Sequence, residues 1–200
     1  LAIVLILLAT HFALMAWNTR EFSLFKKTEA YAQLRNSSAE ISLMVVPLTM
    51  AMTVNACFVS GSLLIPGLWE YIEYLFPFAM LAFLVIGIYA MRILGDYFTR
   101  MLLHKGYDFE QNNSLAPMIS IFALSMIAVG LAAPVAMSHT KEVVAIAFTL
   151  SSFFATSAAL LMLVMLVIGF STMLTHGIRP AAAPSLWLMI PITTLLGITF

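Results

Sequence analysis

Few side chains in this sequence could do chemistry, and most of those that could are hydroxyls placed shortly after prolines. Pro47 is followed by Thr49, Thr53 and Asn55; Pro117 by Ser120 and Ser125; Pro191 by Thr193 and Thr194. A proline inside an apolar helix removes one N–H, disturbs the preceding turn and frees a carbonyl. Lipid cannot satisfy that carbonyl, so neighbouring helices, hydroxyls or water must do so. Thr49 and Thr53 are four residues apart and share a helix face. Three kinked helices with hydroxyl faces would ring a weakly polar, water-filled path, and these ten residues are the candidates to line it. The competing reading is that each hydroxyl bonds its own backbone or glues helices together.

Acid–base, metal and redox chemistry find little support. The histidines His11, His104, His139 and His176 are scattered and offer no facing pair for haem. Neither H-E-x-x-H nor C-x-x-C spacing occurs, so no metal or cofactor is expected. Ser138-His139 stands in a tight turn with no evident acid partner, and no catalytic residue or enzymatic activity is expected. Cys57 is the one cysteine. A net charge of zero gives no footprint for nucleic acid. Glu40, Glu70, Glu73 and Arg92 fall at the ends of apolar runs. Without charges at depth, a proton pump or carboxylate-based cation carrier is disfavoured. An anion path needs no fixed charge, because hydroxyls, amide N–H groups and positive helix ends suffice.

The elements that must position these groups follow from composition. Hydrophobic residues make up 62% of the chain, charged residues 9%, and mean hydropathy is +1.03. Soluble domains carry about 25% charged residues. Charge-free runs cover 41–69, 74–91, 111–140 and 143–178. About 20 apolar residues cross a bilayer as a helix, and these runs are too uniformly apolar for barrel strands. The expectation is an all-α polytopic membrane bundle. Its spans are roughly 1–17, 40–64, 71–94, 114–137, 143–172 and 184–200. The fifth is long enough to tilt or project. Both ends of the chain fall in apolar runs, so it reads as a piece of a longer protein. Of nine Lys and Arg, only Lys141 lies outside the first, third and fifth connections and their edges. That bias places loops 18–39, 95–113 and 173–183 in the cytoplasm. Within these loops Tyr97, Phe98, Met101 and Leu102, and more loosely Phe22, Phe25 and Leu34, suit either amphipathic surface helices or plain connectors. Gly87, Gly130, Ala132, Ala133, Gly169 and Gly197 suit close helix approach. Phe58, Phe122 and Phe154 are mid-span, as core, lipid-facing or pore-plugging residues. Trp17, Trp69 and Trp187 suit interface anchors.

The second, fourth and sixth spans repeat one pattern, a polar or small-residue lead-in, then proline, then hydroxyls: 36–47, 112–117 and 183–191. Hairpins with tight outer turns, spans opened by proline, and the segment Ala183-Pro-Ser-Leu-Trp-Leu-Met-Ile-Pro191 resemble the tellurite-resistance/dicarboxylate transporter family. That family holds bacterial tellurite-resistance proteins, fungal malate and sulfite transporters and plant slow anion channels. The resemblance implies ten helices as five hairpins around a central pore, with Pro47, Pro117 and Pro191 at the kinks of inner helices. It also implies passage of small anions (organic acid, sulfite, chloride, nitrate or tellurite), a homotrimer, and a bacterial inner membrane. The family's gating phenylalanine would lie beyond Phe200. The rival readings are a membrane-embedded cofactor-binding or electron-transfer subunit, and an assembly subunit without a pore.

Overall fold

The structure is a computed structural model and describes residues 2–103, 114–178 and 180–200. The described residues form an all-α bundle: α1 (Ala2–Phe25), α2 (Glu29–Arg35), α3 (Val45–Leu64), α4 (Ile72–Leu103), α5 (Ile119–Met137), α6 (Lys141–His176) and α7 (Met189–Thr199). Among them are six apolar helical segments long enough to cross a membrane. The chain is therefore a multi-pass membrane protein. Short 3-10 segments lead into α3 (Ser38–Met44), α5 (Ala116–Met118) and α7 (Pro180–Leu188). The three lie at one end, here termed the basic end. The turns joining α3 to α4 and α5 to α6 lie at the other, the turn end.

The helices outrun the expected spans. α1 continues to Phe25, and α4 continues to Leu103. Tyr97, Phe98, Met101 and Leu102 thus belong to a prolongation of the span rather than to a separate surface helix. Only Leu34 lies on an independent short helix, α2, which Thr28 caps by accepting the Tyr31 N–H. At 36 residues, α6 is about 54 Å long, against about 30 Å of hydrocarbon, so it tilts or projects. The stretch 104–113, with His104 and Lys105, lies outside the described residues, as does Arg179.

Pro47, Pro117 and Pro191 lie at or next to the passage from a 3-10 lead-in to an α-helix. Pro47 and Pro191 are each the third residue of an α-helix, and Pro117 is the second residue of its 3-10 segment. Pro117 stands where a helix leaves its first N–H groups without intrahelical partners, so a residue lacking N–H costs little there.

α5 is the axis of the bundle: 61% of its apolar window is buried, against 0% for α1 and 11% for α7. It pairs with α6 and packs on α3, α4 and α7. Two glycines make the close approaches possible. The Phe83 ring of α4 occupies the space of a Cβ at Gly130, and the Phe154 ring of α6 does the same at Gly87. Gly169 similarly receives the Leu115 side chain. Phe154, considered above as a pore plug, is a core residue at 3% exposure. Gly197 has nothing within 4 Å of a notional Cβ.

At the turn end, Glu73 of α4 ties the hairpins together. Its carboxylate accepts the His139 N–H and hydrogen bonds from the Ser138 and Thr140 hydroxyls at 2.8 and 3.4 Å. A negative charge is favourable here because α6 starts at Lys141. Glu73 thus holds the Ser138 hydroxyl and the His139 main chain, and it serves as a helix-start clamp.

Gly130→Leu must displace Phe83, and overpacking of this kind costs about 1–3 kcal/mol. The thermal midpoint of the purified protein in detergent will fall for Gly130→Leu, while Gly197→Ala leaves it within error of the parent.

Candidate functional site

The three lead-ins converge on one space of about 460 Å³ at the basic end. Its polar lining is Ser38 and Ser42 before α3, Ser114 before α5, and Ser185 before α7. Among the described residues no charged side chain lines it.

Hydroxyls also build this mouth. Ser37 accepts the Ala39 N–H at 3.3 Å, and Ser114 accepts the Ala116 N–H at 3.3 Å. The two starts therefore use the same side-chain-to-backbone turn, which satisfies a donor that the helix leaves orphaned. Ser185 accepts the Leu115 N–H at 3.0 Å and so docks the third start onto the second. Leu115 in turn plugs against Gly169 of α6.

Behind the mouth lies an ionic cluster built on a buried carboxylate, with partly exposed arginines around it. Glu40 is 1% exposed. It pairs with Arg100 of α4 at 2.6 Å and Arg35 of α2 at 3.2 Å, and Arg35 also reaches Asp96 at 3.1 Å. In a 3-10 helix residues three apart share a face. Glu40 and Leu43 thus form the buried back of the lead-in, while Ser38, Ser42 and their neighbours face the mouth. Burial alone would lower the Arg35 pKa. The Tyr31 hydroxyl, the Glu40 charge and Asp96 outweigh it, and the net direction is upward.

The hydroxyls that follow the prolines are disposed differently. Thr49 donates to the Val45 and Val46 carbonyls, Ser120 to Pro117, Thr193 to Met189 and Ile190, and Thr194 to Ile190. Each is bonded to its own helix. Pro47 and Pro117 are buried, and Pro191 is half-buried. Of the three, only Pro117 lines the mouth. Ser125 is fully buried, and its hydroxyl has no hydrogen-bond partner. Asn55 donates from Nδ2 to the Met126 carbonyl at 3.3 Å and lines a separate cavity at the turn end. Thr53 donates its one hydrogen to Thr49 O at 2.8 Å. Its Oγ1 also shares a 2.9 Å hydrogen bond with His11 Nε2. This bond fastens α1, none of whose residues is buried, to α3.

Comparison with protein-family models, with curated proteins and with solved structures finds no match for this chain. Fold and site together define a multi-pass helical membrane protein with a serine-lined mouth at the meeting point of three helix starts.

Breaking a buried pair strands its partner at a cost of about 3–5 kcal/mol. Arg100→Ala falls at the lower part of that range, because Arg35 still reaches the same Glu40 oxygen. The Glu40→Met/Arg100→Met double variant will recover most of the loss in a thermal unfolding comparison.

Proposed function

We propose that this protein moves small anions across a membrane, making and breaking no covalent bond, and that the serine-lined mouth is where the ion meets the protein. The observation that carries this reading is the convergence of Ser38, Ser42, Ser114 and Ser185 from three helix starts on one space. Hydroxyl donors and the positive ends of helices favour an anion. The lining contributed by the described residues carries no fixed cation, and a weakly polar lining keeps an ion from being trapped, as conduction requires. The side-by-side hairpins, each opened by a proline-led start, are consistent with the tellurite-resistance/dicarboxylate transporter type. In that reading α3, α5 and α7 are inner helices and the basic end is cytoplasmic.

One observation favours a subunit without a pore. The hydroxyls of Thr49, Thr193 and Thr194 are all spent on backbone carbonyls. The two readings part on flux. In liposomes carrying the full-length protein, chloride, nitrate, sulfite or malate gradients will drive anion movement. The combined Ser42→Ala/Ser185→Ala variant will slow it about tenfold, corresponding to the loss of one or two hydrogen bonds at about 0.5–1.5 kcal/mol each. Thr193→Val will change it little. Folded protein that passes no anion under any gradient assigns the chain to the assembly reading.

A further inference from the structure

The second large cavity, at the turn end, has a different chemistry. It encloses about 380 Å³ between α3, α4 and α5, with Leu195 of α7 at its side. Its buried wall is Ile72, Phe76, Ala79 and Phe83 of α4, with Gly130 and Pro134 of α5. Its lip is exposed and consists of Val59, Trp69, Ala133 and Met137.

Two polar side chains line it beside the Trp69 indole, and each donates to a nearby backbone carbonyl, so the lining is mostly apolar. Ser62 donates to the Val59 carbonyl at 2.8 Å, and Asn55 Nδ2 donates to the Met126 carbonyl. A buried water needs 2–4 polar partners, and an apolar cavity of about 150 Å³ stays dry and takes up benzene. This cavity is more than twice that size. Left empty, its aromatic walls would forfeit dispersion contacts along their whole length.

Dimensions select the occupant. The lining of α5 runs from Met126 to Met137, 12 residues and about 16 Å along the axis. That is roughly half the thickness of the hydrocarbon core, the depth of one leaflet. The space is thus long and narrow. Trp69, in the turn between α3 and α4, marks its outer limit near the interface. At that depth the surrounding medium is lipid tails.

We infer that this cavity is a binding site for one acyl chain of a membrane lipid from the leaflet at the turn end. The chain lies along α5 between α3 and α4, its inner end stopped at Met126 and Asn55. The site stands whether or not the protein conducts anions, since it shares no lining residue with the mouth.

The test uses the full-length protein in nanodiscs containing a phosphatidylcholine with a photoactivatable diazirine in one acyl chain. After illumination, adducts are mapped by peptide mass spectrometry. Adducts are expected to concentrate at Val59, Ala133 and Met137, and to fall when unlabelled phosphatidylcholine competes. Ala133→Phe fills the cavity and will reduce those adducts several-fold, while adducts at the exposed Leu81 and Leu174 persist. Val59→Trp fills it from α3 and serves if Ala133→Phe fails to fold. Ala136→Phe, exposed but outside the lining, will leave the pattern unchanged. The inference is overturned if cavity positions label no more than Leu81 and Leu174, or if both filling variants leave the labelling intact. Label that bridges instead to another protein segment would likewise overturn it, because a helix would then be the occupant.

Discussion

A carboxylate removed from water must be neutralised where it stands, and Glu40 is the described acidic side chain taken furthest into this protein. Arg100 reaches it from α4 and Arg35 from α2, sixty residues apart on one side and five on the other. That shared carboxylate fixes three elements at once: the surface helix, the lead-in to α3, and the basic end of α4. Because the lead-in turns every three residues, anchoring its back also orients its front. Ser38 and Ser42 face the mouth for the same reason that Glu40 does not.

The second constraint comes from the bilayer, which leaves no backbone group unpaired without a large cost. Helix starts are where that cost concentrates. Here proline removes one donor, serine accepts another, and 3-10 turns tighten what remains. The starts of α5 and α7 are joined directly through Ser185 and Leu115. Most hydroxyls deeper in the helices face the same rule and answer it locally, by bonding carbonyls three or four residues back, whereas Ser151 reaches across to the Ala128 carbonyl and Ser125 finds no partner among the described residues. Polarity along α3, α5 and α7 is therefore available at the ends and largely spent within. The contrast between the serine-lined mouth and the apolar cavity at the turn end follows from it.

Much of the architecture was legible because lipid imposes long, uncharged helices. The apolar runs identify six spans, and the spacing of Pro47, Pro117 and Pro191 identifies three equivalent helix starts. The site was half legible. The proline pattern directed attention to residues after each proline, whereas the serines that line the mouth come before it. They stand in the polar lead-ins, where Ser38, Ser114 and Ser185 are visible once helix starts are read as capping sites. Long-range partners were not legible. Glu40 gives no sign of Arg100, nor Glu73 of the 138–140 turn, because each pair meets only through the packing of α4. The seating of Phe83 on Gly130 is equally a product of that packing. The extensions of α1 and α4 were missed because charge marks the edge of the hydrocarbon, not the end of a helix.

The central claim is that three helix starts share one aqueous mouth, and thiol accessibility tests it directly. In a Cys57→Ala background, cysteines would be placed singly at Ser42, Ser185 and, as a control exposed on α6, Thr156. Each would be treated with a charged, membrane-impermeant thiol reagent from the basic end. The account predicts that Ser42→Cys and Ser185→Cys react rapidly and that nitrate slows both, while Thr156→Cys in the lipid stays unmodified. Equal inertness at all three positions, in protein shown to be folded, would contradict it.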